Sequence, residues 1–255
     1  MKETYELPVD HEGVNIVKIC FWGASLSGKT TALSIYKTLK TLENPESVYQ
    51  WLKLEDPSGR TLFFDQAVFS LGRSEKTGLP YLKYHVYTVP GQIRHKGQRK
   101  VVLEGSHGLI ILLDSSLSQW NFNLQALEEL NELVGPELAN GTLPFKLVLN
   151  KMDLPPSERI SAIDVGELLV EAGLSEKLRD AYANIIETSC LKATNDLKRI
   201  LIQIKKEGLR DKYKDPKTGR WIRSVLPVSV QRIMQPVEEL LREVIVIVLR
   251  KNRDR

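Results

Sequence analysis

The chain has 255 residues, 42% of them hydrophobic and 27% charged, with a net charge of +4. That balance predicts a globular protein with one large domain, or one domain plus an appendage. Two cysteines, Cys20 and Cys190, are too few for a disulfide scaffold, and no apolar run approaches the roughly 20 residues of a membrane span.

Residues 1–13 read as a leading segment, and Met1–Glu6 lack the apolar stretch of a signal peptide. An apolar run, Ile16–Trp22, predicts a strand over 14–22, and a helix follows over 29–41. Between them stands Gly23-Ala24-Ser25-Leu26-Ser27-Gly28-Lys29-Thr30, which fits G-x-x-x-x-G-K-[ST]. This is a phosphate-binding loop in its required strand–helix context. Gly23 and Gly28 let the backbone wrap closely round a phosphate chain. The amides of Ser25, Leu26, Ser27, Gly28, Lys29, Thr30 and Thr31 point inward, and the helix N-terminus favours the anion. Lys29 adds a point charge near the β- and γ-phosphates, and Thr30 offers a hydroxyl to Mg²⁺.

Further along, Val48–Leu54 predicts a strand and Glu55–Gly59 a turn. Leu62–Leu71 and Leu82–Val89 predict two strands joined by a hairpin at Lys76-Thr77-Gly78. Thr88-Val89-Pro90-Gly91-Gln92 then ends a strand and opens a loop, where Gly91 can bring its N–H to a γ-phosphate and Gln92 can orient water. Leu109–Leu113 and Phe145–Leu149 are short apolar runs expected of parallel strands buried on both faces. Between them Leu124, Leu127, Leu130, Leu133 and Val134 recur at helical spacing.

Asn150-Lys151-Met152-Asp153 follows the second of these runs. Asp153 can accept from the N1–H and exocyclic amine of guanine, a donor pair that adenine lacks. Asn150 would brace the loop, and the Lys151 stem would cover the ring. A last short strand, Ile185–Thr188, leads to Ser189, Cys190 and Leu191, where the Cys190 amide would meet guanine O6. A closing helix is predicted over Leu197–Ile204. Alternating strands and helices imply a doubly wound α/β sheet that binds its ligand beyond the strand C-termini.

The four elements, in this order and each at a strand end, resemble the Ras-like small GTPase superfamily over residues 14–206. Arg60-Thr61-Leu62-Phe63-Phe64-Asp65 and Tyr87-Thr88-Val89-Pro90-Gly91-Gln92 look closer still to the MglA group of prokaryotic Ras-like polarity GTPases, which tolerates Thr at position 88 where Ras-like chains carry a metal-binding Asp. The resemblance implies a P-loop NTPase fold, a mostly parallel sheet with helices on both faces, and binding of GTP or GDP with Mg²⁺. It implies that Thr61 joins Thr30 at the metal, that Gln92 and Lys29 act in hydrolysis, and that Arg60 is an arginine finger in cis. It also implies slow intrinsic hydrolysis, a Roadblock-type (MglB-like) regulator, and a cytoplasmic switch in polarity, motility or trafficking. Asp114 is a candidate to help the metal through water. A second reading stays open: a GTP-binding scaffold with little hydrolysis whose tail mediates contacts.

The resemblance stops before the tail. Residues 205–255 hold 14 Lys/Arg against 7 Asp/Glu, a net +7, which leaves the rest of the chain at −3. Residues 207–227 read as a basic, turn-rich linker, and 228–255 as an amphipathic helix that Pro236 kinks or begins. The helix can pack on the body, on a partner, or peripherally on an anionic membrane. Nucleic acid is not an expected partner, because the basic stretch lacks a recognition motif.

Overall fold

The computed structural model describes residues 7–52, 65–90, 96–174, 176–208 and 210–253. In chain order the elements are β1 (Ile16–Trp22), α1 (Lys29–Glu43), β2 (Val48–Leu52), β3 (Asp65–Leu71), β4 (Leu82–Thr88), α2 (Lys96–Leu103), β5 (Gly108–Asp114), α3 (Trp120–Ala139) and β6 (Phe145–Asn150). They continue with α4 (Ala162–Glu171), a 3₁₀ segment (Glu176–Asn184), β7 (Ile186–Glu187), α5 (Cys190–Glu207), α6 (Arg210–Tyr213) and α7 (Val228–Arg253). The strands form one sheet in the order β2-β3-β4-β1-β5-β6-β7. The pairs from β4 through β1, β5 and β6 to β7 are parallel, while β3 runs antiparallel to both β2 and β4.

The parallel centre follows from composition. β5 is buried at all seven positions, as a strand covered on both faces must be. Its odd and even residues feed separate cores. Leu109, Ile111 and Leu113 join α2, α3 and α4 on one face, and Ile110 and Leu112 join α1, α5 and α7 on the other. The sheet is therefore wound on both sides, and the P-loop lies at the C-terminal edge of β1.

Several elements depart from expectation. The closing helix starts at Cys190 rather than Leu197, because the Ser189 side chain caps it by accepting from the Lys192 amide. Helices α2 and α4 were not foreseen from the sequence. α2 lacks a sustained apolar period, whereas α4 is short and set by a capping box between Ser161 and Asp164. The last strand shortens to Ile186–Glu187. Residues 53, 54 and 62–64 of the predicted strands, and the turn at 55–59, lie outside the described residues.

The largest difference is in the tail. Its basic stretch is not a free linker, since Tyr213, Lys214 and Trp221 are buried in it. Trp221 donates its indole N–H to Leu39 O at 3.0 Å, and Lys214 Nζ donates to Leu42 O. Leu42 O is one of the last carbonyls of α1, which the helix itself leaves unsatisfied, and the Lys214 charge complements the helix dipole there. α7 begins at Val228 and runs through Pro236. Its inner face, including Val230, Met234, Val237, Leu240 and Val244, enters the same core as α1 and α5. It crosses β5 so closely that a Cβ on Gly108 would lie 3.0 Å from Leu240. Of the three fates open to the tail helix, its inner face takes packing on the body. No described helix is long and apolar enough to cross a membrane.

Trp221→Ala removes a buried ring and the indole hydrogen bond together. It should cost about 3–5 kcal/mol of unfolding free energy, read as a lower urea midpoint at unchanged slope. Lys212→Ala, at an exposed neighbour, should stay within about 0.5 kcal/mol.

Candidate functional site

The P-loop has the geometry that its glycines predict. Gly23 sits at φ 142° and Gly28 at φ 108°. A Cβ at Gly23 would stand 2.1 Å from Leu112 O, and one at Gly28 would stand 2.3 Å from Asn150 Nδ2. Neither position admits a side chain, so the loop can be this tight only with glycine. Ser27 is fully buried, and its Oγ has no hydrogen-bond partner among the described residues, an orphaned polar atom inside a loop built to receive an anion. Leu26 is exposed at φ 60°, Ser25 is half-buried, and Thr31 is exposed on the first turn of α1.

Lys29 is buried and donates to Gly23 O at 2.9 Å and Ala24 O at 2.6 Å. Burial first, and then the Arg99 charge, push its ammonium down to about 7, with Asp65 opposing. Arg99 is a residue that sequence reasoning missed. It reaches in from α2, lies over the Trp22 ring at 5.4 Å and pairs with Glu129 of α3. A second buried cation behind the loop adds positive potential to the phosphate site.

The second missed residue is Asp65, the first of β3. It is fully buried and accepts from Thr30 Oγ1 at 2.5 Å and from Thr88 Oγ1 at 2.9 Å. The pairing of β3 with β4 sets Asp65 opposite Thr88. A carboxylate on the neighbouring strand thus reaches the place where Ras-like chains carry Asp at position 88. Three hard oxygen donors (Thr30, Thr88 and Asp65) converge there, a donor set suited to Mg²⁺. Asp114, the candidate named from sequence, is engaged elsewhere. Its carboxylate pairs with Lys151 and accepts from Ser116 Oγ at 2.7 Å.

The 150–153 loop is tied to the P-loop by one side chain. Asn150 donates from Nδ2 to Ser27 O at 2.8 Å, while its Oδ1 accepts from Thr188 Oγ1 at 3.1 Å and from the Cys190 amide at 3.0 Å. The Cys190 amide, expected at guanine O6, is thereby shared with Asn150. Lys151 takes the left-handed conformation, φ 67°, and its ammonium is held by buried Asp114. Asp153 is exposed, and its Oδ1 accepts from Ser189 Oγ at 2.5 Å, which fixes its carboxylate. Leu191 is 63% exposed where a ring-covering lysine is common. Burial pushes the Cys190 thiol up to about 12, so it is not a nucleophile here. Arg60, Thr61, Gly91 and Gln92 lie outside the described residues.

One edge of the sheet therefore presents a glycine-built loop with an orphaned hydroxyl, an oxygen-donor cluster and the fixed, exposed carboxylate of Asp153. These arise in the chain order of a Ras-like GTPase, and that is the class of protein the fold and site define. No family model matches the chain. Over 194 residues it is 32% identical to the mutual gliding-motility protein MglA of Myxococcus xanthus (strain DK1622), across 75% of this chain and 93% of that one. The chain belongs to the MglA family of small GTPases. A solved structure of the Arl6 BBS3 small GTPase from Trypanosoma brucei, with bound GppNp, is also similar, at 19% identity and a TM-score of 0.45, over 70% of this chain and 89% of its own.

Nucleotide binding should take up protons above pH 7. Lys29 falls from an ordinary 10.5 to about 7 in the folded chain, and phosphates beside it would raise it again. Calorimetry at pH 8 in buffers of different ionisation enthalpy should read an uptake approaching one proton, fading as the pH drops below 7. For folding of the nucleotide-free chain the sign is opposite, because a proton is released. Between about 7 and 10.5 the unfolded chain binds the proton and the nucleotide-free native chain does not. In that window this group makes the nucleotide-free chain more stable as the pH rises.

Proposed function

We propose that this protein is a cytoplasmic GTP–GDP switch that hydrolyses GTP slowly and serves cell polarity or motility. The observation that carries the proposal is the meeting of Thr30, Asp65 and Thr88 through the Asp65 carboxylate. It answers the objection that Thr88 leaves the metal site one carboxylate short.

In this reading Ser25 to Thr31 and Lys29 hold the β- and γ-phosphates. Asp153 and Asn150 select guanine, and Lys151, steadied by Asp114, lies over its ring. Ser189, Cys190 and Leu191 close the base pocket. Thr30 and Thr61 would hold Mg²⁺, with Asp65 supplying the carboxylate. The ion neutralises charge on the β- and γ-phosphate oxygens when bound. Gly91 bonds the γ-phosphate, Gln92 positions water for in-line attack, and Arg60 stabilises the charge that develops on the transferred group. A Roadblock-type partner is the regulator that fits the kinship with MglA.

Single-turnover phosphate release tests this. Arg60→Ala should lose about 10³-fold or more in rate while keeping GTP affinity, and Gln92→Ala should follow in the same direction. Asp65→Ala should weaken Mg²⁺ affinity by about 10–100-fold, so that nucleotide dissociation no longer slows when Mg²⁺ is added. Wild-type-like hydrolysis in either catalytic variant would overturn the assignment. Tight GTP binding with no release, with or without a Roadblock protein, would favour the scaffold reading instead.

A further inference from the structure

α3 and α4 together carry Glu128, Glu129, Glu132, Glu137, Asp164, Glu167 and Glu171, with no Lys or Arg in either helix. Between α4 and the 3₁₀ segment that follows lies a groove of about 470 Å³, lined by Trp120, Ile163, Gly166, Val170 and Tyr182. Its apolar walls are open to solvent, with Ile163 67% and Val170 48% exposed. The groove exists because Gly166 lets Tyr182 lie against α4, where a Cβ would stand 2.9 Å from the ring. Glu167 and Glu171, one turn apart and both exposed, line the same groove, and Glu171 accepts from the Trp120 indole at 3.2 Å.

The opposite character appears on the outer side of α7. Arg242, Val246, Leu249 and Arg250 are all exposed and recur at steps of four, three and one, which set them along one helix face. Glu243, the acid beside Arg242, is drawn off by Lys146 at 2.9 Å. The stripe is two apolar knobs between two arginines. The groove is an apolar slot flanked by two glutamates.

These two surfaces cannot meet within one molecule. The groove belongs to the face covered by α3 and α4, and α7 is packed into the core on the other face of the sheet. We infer that they meet between molecules, with the α7 stripe of one copy seated in the α4 groove of the next. A lipid surface is a poorer occupant for the stripe. The broad apolar face that interfacial insertion needs is spent in the core, and of the exposed apolar side chains of α7 the stripe holds two, Val246 and Leu249, with Val228 far off at the helix start. The contact is heterologous, and its two halves lie on opposite faces of the sheet. It therefore propagates head to tail rather than closing as a symmetric pair.

Sedimentation velocity of the full chain loaded with GDP tests this at about 50 mM and about 500 mM salt, where the screening length falls from more than ~10 Å to a few ångström. At low salt the weight-average mass should climb above 29.0 kDa with concentration, and high salt should return it to one chain. Glu167→Arg with Glu171→Arg should give monomers, and so should Arg242→Glu with Arg250→Glu. Retained GDP binding shows that each variant is folded. An equimolar mixture of the two variants should assemble again, because the unaltered stripe of one fits the unaltered groove of the other and the two charge-reversed halves are complementary in their turn.

A wild-type chain that stays monomeric at low salt overturns the proposal. So do variants that assemble like wild type, or a mixture that stays monomeric. A monomeric wild type that floats with phosphatidylserine-containing vesicles, and loses flotation on Arg242→Glu with Arg250→Glu, would give the stripe to lipid instead.

Discussion

Asn150 is the side chain on which the site depends. Its amide spans from the P-loop carbonyl at Ser27 to the Thr188 hydroxyl and the Cys190 amide. Three loops that leave three different strands are thereby fixed to one another. The span is short enough that residue 28 has to be glycine, since a Cβ would strike Asn150 Nδ2. A buried amide of this kind is costly if any partner is lost. The P-loop and the 150–153 loop therefore stand or fall together, although their residues are more than a hundred positions apart.

Electrostatics around this junction are held in tension. Lys29 and Arg99 are two buried cations, and among the described residues Glu129 and Asp65 answer them. A buried ion pair such as Arg99–Glu129 is weak evidence for stability, because desolvation offsets most of its attraction. Here its position is informative. It anchors α2 to α3 directly behind β1, and it holds positive potential beneath the loop. Burial first, and then the Arg99 charge, hold the Lys29 ammonium down, so its charge is poorly compensated before any phosphate arrives. A polyanion relieves it, which makes nucleotide binding and charge compensation the same event.

Much of this was legible in the sequence, for identifiable reasons. The P-loop and the Asn150–Asp153 loop are short, contiguous motifs at strand ends, where chemistry and local geometry are set by neighbours in the chain. Asp65 was within reach but not taken. A hairpin centred between residues 76 and 77 pairs Leu71 with Leu82, and continuing that register places residue 65 opposite 88. The missing carboxylate at Thr88 could have been sought across the strand rather than along it. Arg99 offered no such handle. α2 carries its key contact on a polar residue, and nothing local distinguishes a buried arginine from a solvated one. The basic stretch at 207–227 misled for the converse reason. Its charges are mostly exposed, and Tyr213, Lys214 and Trp221 are too few to mark a period.

The tail also bears on how such a switch can move. α1 is held at its N-terminus by the P-loop contacts and at its last turn by Trp221 and Lys214. α7 fills the same core as α1 and α5, so that face of the sheet is packed from edge to edge. A close-packed face transmits strain poorly into gradual motion. β3 and β4 feed Ala67, Phe69, Tyr84 and Val86 into that same core. Asp65 opens β3 and Thr88 closes β4, so the two residues that meet Thr30 flank the stretches carrying Arg60, Thr61 and Gln92. The tail fixes the far end of α1, whose first residues Lys29 and Thr30 bond Gly23, Ala24 and Asp65, so the Thr30–Asp65–Thr88 cluster stands on a helix held at both ends.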